Sequence, residues 1–83
     1  MYENTQPIER EPLLEIANAL IVEHQDYFTG LQATDVEQNG DILVFRGEYF
    51  LDQQGLPTSK STTVFNVFKF LAQQLSSQYH LKS

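Results

Sequence analysis

The chain has 83 residues, no cysteine and no tryptophan, with 41% hydrophobic and 19% charged residues. That composition suits one small globular domain spanning residues 1–83, and the missing thiols exclude disulfides, CxxC redox chemistry and cysteine-based zinc sites. Eleven acids against five bases give a net charge of −6, a balance that repels the nucleic-acid backbone and anionic lipid.

Residues 1–8 are polar around Pro7 and read as a loose N-terminal arm. A helix follows. Pro12 suits its first turn, and Glu9, Glu11 and Glu15 place negative charge at the positive end of the helix dipole. Leu13, Ala17, Leu20, Ile21, His24 and Phe28 recur at helical spacing, widened by Leu14, Ile16 and Tyr27, and Gly30 is the natural stop.

Asn39-Gly40 separates two β-patterned segments, Leu31–Gln38 and Asp41–Leu51. Asn and Gly tolerate the positive φ of a type I′ turn best, so the pair predicts a two-residue hairpin. Val36 then faces Leu43, Thr34 faces Phe45, and the core side continues through Gly47, Tyr49 and Leu51. The opposite side carries Asp35, Glu37, Ile42, Val44, Arg46, Glu48 and Phe50.

Residues 52–57 read as a turn, after which Thr58, Ser59 or Ser61 caps a second helix running to about Tyr79. Its apolar stripe is Val64, Phe65, Phe68, Leu71, Ala72, Leu75 and Tyr79, with Val67 and Phe70 as a surplus beside it. The predicted fold is therefore α+β in the order α-β-β-α, an antiparallel hairpin packed against two helices. A two-stranded sheet is marginal in water and leaves open edges, so pairing of hairpin edges between two copies is an expectation of the pattern.

All eleven acids fall in residues 1–52, which carry −9, while residues 53–83 carry +3 through Lys60, Lys69 and Lys82. Packing of the two parts against each other would partly neutralise this split, and a bipolar surface would attract a charged partner or another copy. The first residues lack a signal-peptide pattern, and no stretch approaches the roughly 20 apolar residues of a membrane span. A cytoplasmic location without membrane attachment is expected.

The run Leu43-Val44-Phe45-Arg46-Gly47-Glu48-Tyr49-Phe50-Leu51-Asp52, followed by Gly55-Leu56-Pro57-Thr58 and Val64-Phe65-Asn66-Val67-Phe68-Lys69, resembles the YciN-like family of short bacterial, enterobacterial-type proteins. The likeness extends over nearly the whole chain, including the Asn-Gly turn and Tyr79-His80-Leu81. It implies a bacterial cytosolic protein of a family without an assigned biochemical role, so it transfers no catalytic or binding residue.

The residues themselves nominate little chemistry. Gly55-Leu56-Pro57-Thr58-Ser59-Lys60-Ser61 resembles a phosphate-binding loop but lacks the glycine before lysine, and Pro57 removes a backbone donor. A weaker anion site would use Thr58, Ser59, Lys60 and Ser61 at the helix start, through Thr62. His24 and His80 have no metal-ligand spacing; His24 is expected to pack its ring and use a ring nitrogen on a backbone carbonyl. GxSxG and SxxK are absent, no cofactor motif is present, and three spread lysines make no nucleic-acid stripe. The expectation is a non-enzymatic interaction module, capable of self-association, whose partner surface uses Val67, Phe70, Ile42, Val44 and Phe50. The alternative is a small anion- or metabolite-binding protein.

Overall fold

A computed structural model describes residues 4–82. Its elements in chain order are β1 (Gln6–Ile8), α1 (Arg10–Glu23), β2 (Asp35–Asn39), β3 (Ile42–Arg46), α2 (Ser59–Ser76) and β4 (Tyr79–Leu81). The fold is α+β, with the two expected helices and the expected antiparallel hairpin β2–β3. Two short strands at the ends extend the expected order.

Those strands correct the loose arm. Gln6–Ile8 pairs in parallel with Tyr79–Leu81, the Gln6 N–H donating to the Gln78 carbonyl at 3.0 Å and the Lys82 N–H to Ile8 at 2.8 Å. Pro7 is compatible with this strand because its missing N–H lies on the side away from β4. Residues 1–3 of the predicted arm lie outside the described residues.

Helix α1 begins where expected, with Glu11 in its first turn, and buries Leu13, Ala17 and Ile21. It ends at Glu23 instead of near Phe28. The His24 side chain causes the stop: its Nδ1 accepts the Asp26 backbone N–H at 3.0 Å, and that N–H leaves the helical ladder. His24 therefore uses a ring nitrogen on a backbone donor and not on a carbonyl. The following loop carries Phe28 back to the core margin and exposes Tyr27. Asn18 of α1 then fixes the approach to β2, accepting from the Ala33 N–H at 2.8 Å and donating to its carbonyl at 3.0 Å.

The hairpin turns one residue later than expected. Asn39 pairs with Ile42, Gln38 with Leu43 and Val36 with Phe45, so Gly40-Asp41 is the loop. Gly40 alone takes positive φ, +61°, the requirement of a type II′ turn at its first central position. Moving the loop by one position shifts each cross-strand pairing by two, which preserves the faces. Val36, Leu43 and Phe45 accordingly point to the core as expected.

β3 ends at Arg46 because the next residues leave the ladder. A Cβ on Gly47 would lie 2.4 Å from the Gln32 carbonyl oxygen, so only glycine admits this approach of two backbones. Tyr49 still packs on the core, but Leu51 is exposed, against the sequence expectation.

Helix α2 starts with a capping box. Thr58 Oγ1 accepts the Ser61 N–H at 3.3 Å, and Ser61 Oγ accepts the Thr58 N–H at 2.9 Å. The helix buries Ser61, Val64, Val67, Phe68, Leu71 and Leu75, and ends at Ser76, short of Tyr79. The spacing of Ser61, Val64, Phe68, Leu71 and Leu75 alternates between three and four residues, which makes one stripe. Val67, off this stripe, is fully buried, whereas Phe65, expected in the core, is 47% exposed. The core is thus one layer of two helices against the inner side of the hairpin.

Candidate functional site

Two groups of residues were expected to carry function. The structure gathers the first, at the start of α2, into a knot around Phe50. This residue has φ +58°, a left-handed conformation that is strained for a bulky side chain. Its carbonyl accepts hydrogen bonds from Thr58 Oγ1 at 2.8 Å and Ser61 Oγ at 3.2 Å, and its N–H donates to Glu48 Oε2 at 3.1 Å. The Phe50 ring meets Phe28 edge to face at 5.2 Å, and Lys60 Nζ lies 5.5 Å from the Phe28 centroid and 5.6 Å from that of Phe50.

The anion-site residues therefore have structural tasks. The Thr58 and Ser61 hydroxyls face a carbonyl, Ser61 is 0% exposed, and the Lys60 cation rests on aromatic faces. Ser59 is exposed in the first turn, and its carbonyl accepts from the Thr63 hydroxyl at 3.3 Å. This arrangement locks the strained Phe50 against the helix start.

The partner-surface residues divide. Val67 is in the core. Phe70 is half-buried, its ring edge to face with His24 at 4.9 Å and 74°, so the end of α1 occupies that side. Phe50 leaves the outer hairpin side because its positive φ turns the chain into the knot. Ile42 and Val44 remain where expected: Ile42 is 50% exposed and Val44 half-buried.

Charged residues frame these two. Arg46 Nη2 donates to Glu37 Oε1 at 2.8 Å, and Arg10 Nη1 donates to Asp35 Oδ1 at 3.1 Å. The Glu37 hydrogen bond, followed by its charge, raises the Arg46 guanidinium above its usual value. Glu37 pairs directly with Val44 across the hairpin, so the small apolar strip is bordered by one acid and one base.

Sequence reading missed a second exposed aromatic group. Phe65 stands 5.5 Å from Tyr49, which in turn meets Phe68 at 5.9 Å. The three-four alternation along α2 was the available signal, because it leaves Phe65 off the stripe. A shallow polar cleft also lies between the ends of β1 and α2, lined by Asn4, Gln6, Ser77, Gln78 and Tyr79. His80 lies in β4, with Thr5 Oγ1 2.8 Å from its Nδ1. Among the described residues, no group of three His, Asp or Glu side chains is placed to hold a metal ion, and no helix is long and apolar enough to cross a membrane.

These features define a small α+β domain whose polar side chains cap backbone groups and whose open hairpin side is part apolar and part charged. The chain belongs to the family described as a protein of unknown function, DUF2498, whose model matches residues 4–82. It is 59% identical over 81 residues to the protein YciN of Escherichia coli strain K12, covering 98% of each chain. The YciN protein of the O157:H7 strain matches at the same identity and coverage. The expected YciN-like family is thereby shown.

Proposed function

We propose that the chain is a non-enzymatic protein-interaction module of the bacterial cytoplasm, and that its partner is a second copy of itself docked on the outer side of β2–β3. The observation that carries this reading is Ile42, half-exposed on a strand beside Val44, on the hairpin side opposite the core. A two-fold interface must be complementary to itself. Glu37 and Arg46 on either side of the strip meet that condition, since each can exchange its intrachain partner for the same residue of the other copy.

The size of the surface sets the strength. Five residues per strand give a face of roughly 17 by 10 Å, far below the roughly 1,200 Å² buried in a stable specific interface. The association is accordingly weak and concentration-dependent. Net charge opposes it, so added salt strengthens the dimer if like-charge repulsion dominates, and weakens it if the Glu37–Arg46 exchange dominates.

Molar mass by size-exclusion chromatography with light scattering, at two concentrations and two salt levels, tests the reading. The expected result is a mass that rises with concentration and returns to the monomer value in Val44→Lys, with unchanged far-ultraviolet circular dichroism. A monomer at every concentration, or a Val44→Lys variant that associates like the parent, refutes it.

A further inference from the structure

We infer that one outward position on each of the four strand edges is closed by the chain's own residues, so that strand addition is opposed at every edge and contact through a face is favoured. A strand edge is a template for pairing with another chain because it presents outward N–H and C=O groups. On each edge in this molecule one outward position can be followed individually.

A two-residue loop closes its hairpin on a pair that exchanges hydrogen bonds, here Asn39 and Ile42. The N–H groups of Leu43 on β3 and Val36 on β2 therefore point away from the partner strand. Leu43 N–H is taken by Ser76 Oγ, at 2.8 Å, from the last turn of α2. Val36 N–H is taken by Asp35 Oδ1, also at 2.8 Å, and the same oxygen is pinned by Arg10 at 3.1 Å.

The parallel pair follows the same rule. Since Lys82 N–H bonds to Ile8, the Leu81 N–H of β4 faces outward, and it donates to Gln38 Oε1 at 2.8 Å. Gln38 is oriented for this by its own amide, which donates to the Gly40 carbonyl at 2.8 Å. On β1, Gln6 N–H faces β4, so the outward position is Pro7, which has no N–H to offer.

Four edges thus lose an outward donor by four chemically different means: a hydroxyl, a carboxylate, an amide and an imino acid. Three come from side chains held by other contacts or by a neighbouring element, which is a set of autoinhibitory contacts and not a consequence of local turn geometry alone. The pairing of hairpin edges between copies, expected from the sequence, is the association this set opposes.

The inference concerns edges and not the Ile42–Val44 face, so it is tested in the Val44→Lys background, where face-mediated association is removed. In that background Ser76→Ala and Asp35→Ala each free one outward donor. Ser76→Thr keeps the hydroxyl. The expected result is a concentration-dependent rise in molar mass toward twice the monomer value in the two alanine variants, with an intermolecular β-sheet band in the infrared spectrum, and no rise in Ser76→Thr. The Leu43 amide should exchange at least tenfold faster in monomeric Ser76→Ala.

If Ser76→Ala fails to fold, Asp35→Ala, which alters an exposed side chain, carries the test alone. Folded alanine variants with the mass and infrared spectrum of their parent overturn the inference. So does a parent that already associates with slowed exchange at Phe45 or Gln38, because its edges would then be open.

Discussion

Gly47→Ala isolates the contact that ends β3. The new methyl group would sit 2.4 Å from the Gln32 carbonyl oxygen and 3.1 Å from the Phe68 ring, whereas ordinary contact begins at 3.4 Å. Gln32 cannot retreat freely, because Leu31 and Ala33 on either side are 3% and 4% exposed, and Asn18 holds both backbone groups of Ala33. Overpacking of this kind costs about 1–3 kcal/mol, offset by about 0.4–1 kcal/mol from the stiffer unfolded chain. Gly47 is not among the positive-φ residues, so the cost comes from the contact and not from the dihedral. A net loss of about 1–2 kcal/mol corresponds to a fall in Tm of roughly 5–15 °C for a domain of this size. Thermal melting followed by far-ultraviolet circular dichroism measures it. An unchanged or raised Tm would refute the close approach of the two backbones.

Asn18→Ala should lower stability by about 1–3 kcal/mol in urea unfolding, because it leaves two part-buried backbone groups of Ala33 without their partner. Asn18→Asp should not restore the loss, since a carboxylate accepts from the Ala33 N–H but faces its carbonyl with no donor. Thr58→Ala removes both the helix cap and one bond to the Phe50 carbonyl and should cost about 1 kcal/mol, read as a lower Tm. Inorganic phosphate should leave the parent Tm unchanged; a rise that disappears in Lys60→Ala would show that the helix start binds anions after all.

The parts of the fold that sequence exposes are those governed by local periodicity. Leu13, Ala17 and Ile21, or Val36, Leu43 and Phe45, repeat with the period of their element, and the structure buries them. Gly40 announced the turn, although the loop position depended on which neighbour shared it. The boundaries failed where a side chain competes with the backbone. Nothing in the spacing of His24 signals that its ring will capture the Asp26 N–H, and nothing in Phe50 signals a left-handed residue held by two hydroxyls. The β1–β4 pair was invisible because each strand has only three residues and its partner lies at the other end of the chain. Of the proposed partner residues, Ile42 and Val44 kept their place because strand alternation fixes their side. Val67 and Phe70 did not: Val67 is buried and Phe70 meets His24 at the end of α1, and periodicity within one helix carries no information about its neighbour.

Pairing between the two ends also constrains the order in which the molecule can be completed during synthesis. β1 emerges first, yet its hydrogen-bonding partner is made about 70 residues later. At about 5–20 residues per second that interval is roughly 4–14 s, during which α1 and the hairpin can already have formed their contacts. Gln38, which holds Leu81, belongs to the hairpin, so β4 also depends on an element made about 40 residues before it. β4 therefore joins two partners made well before it, β1 and the hairpin, and its pairing with β1 is the most sequence-distant contact between elements of the fold.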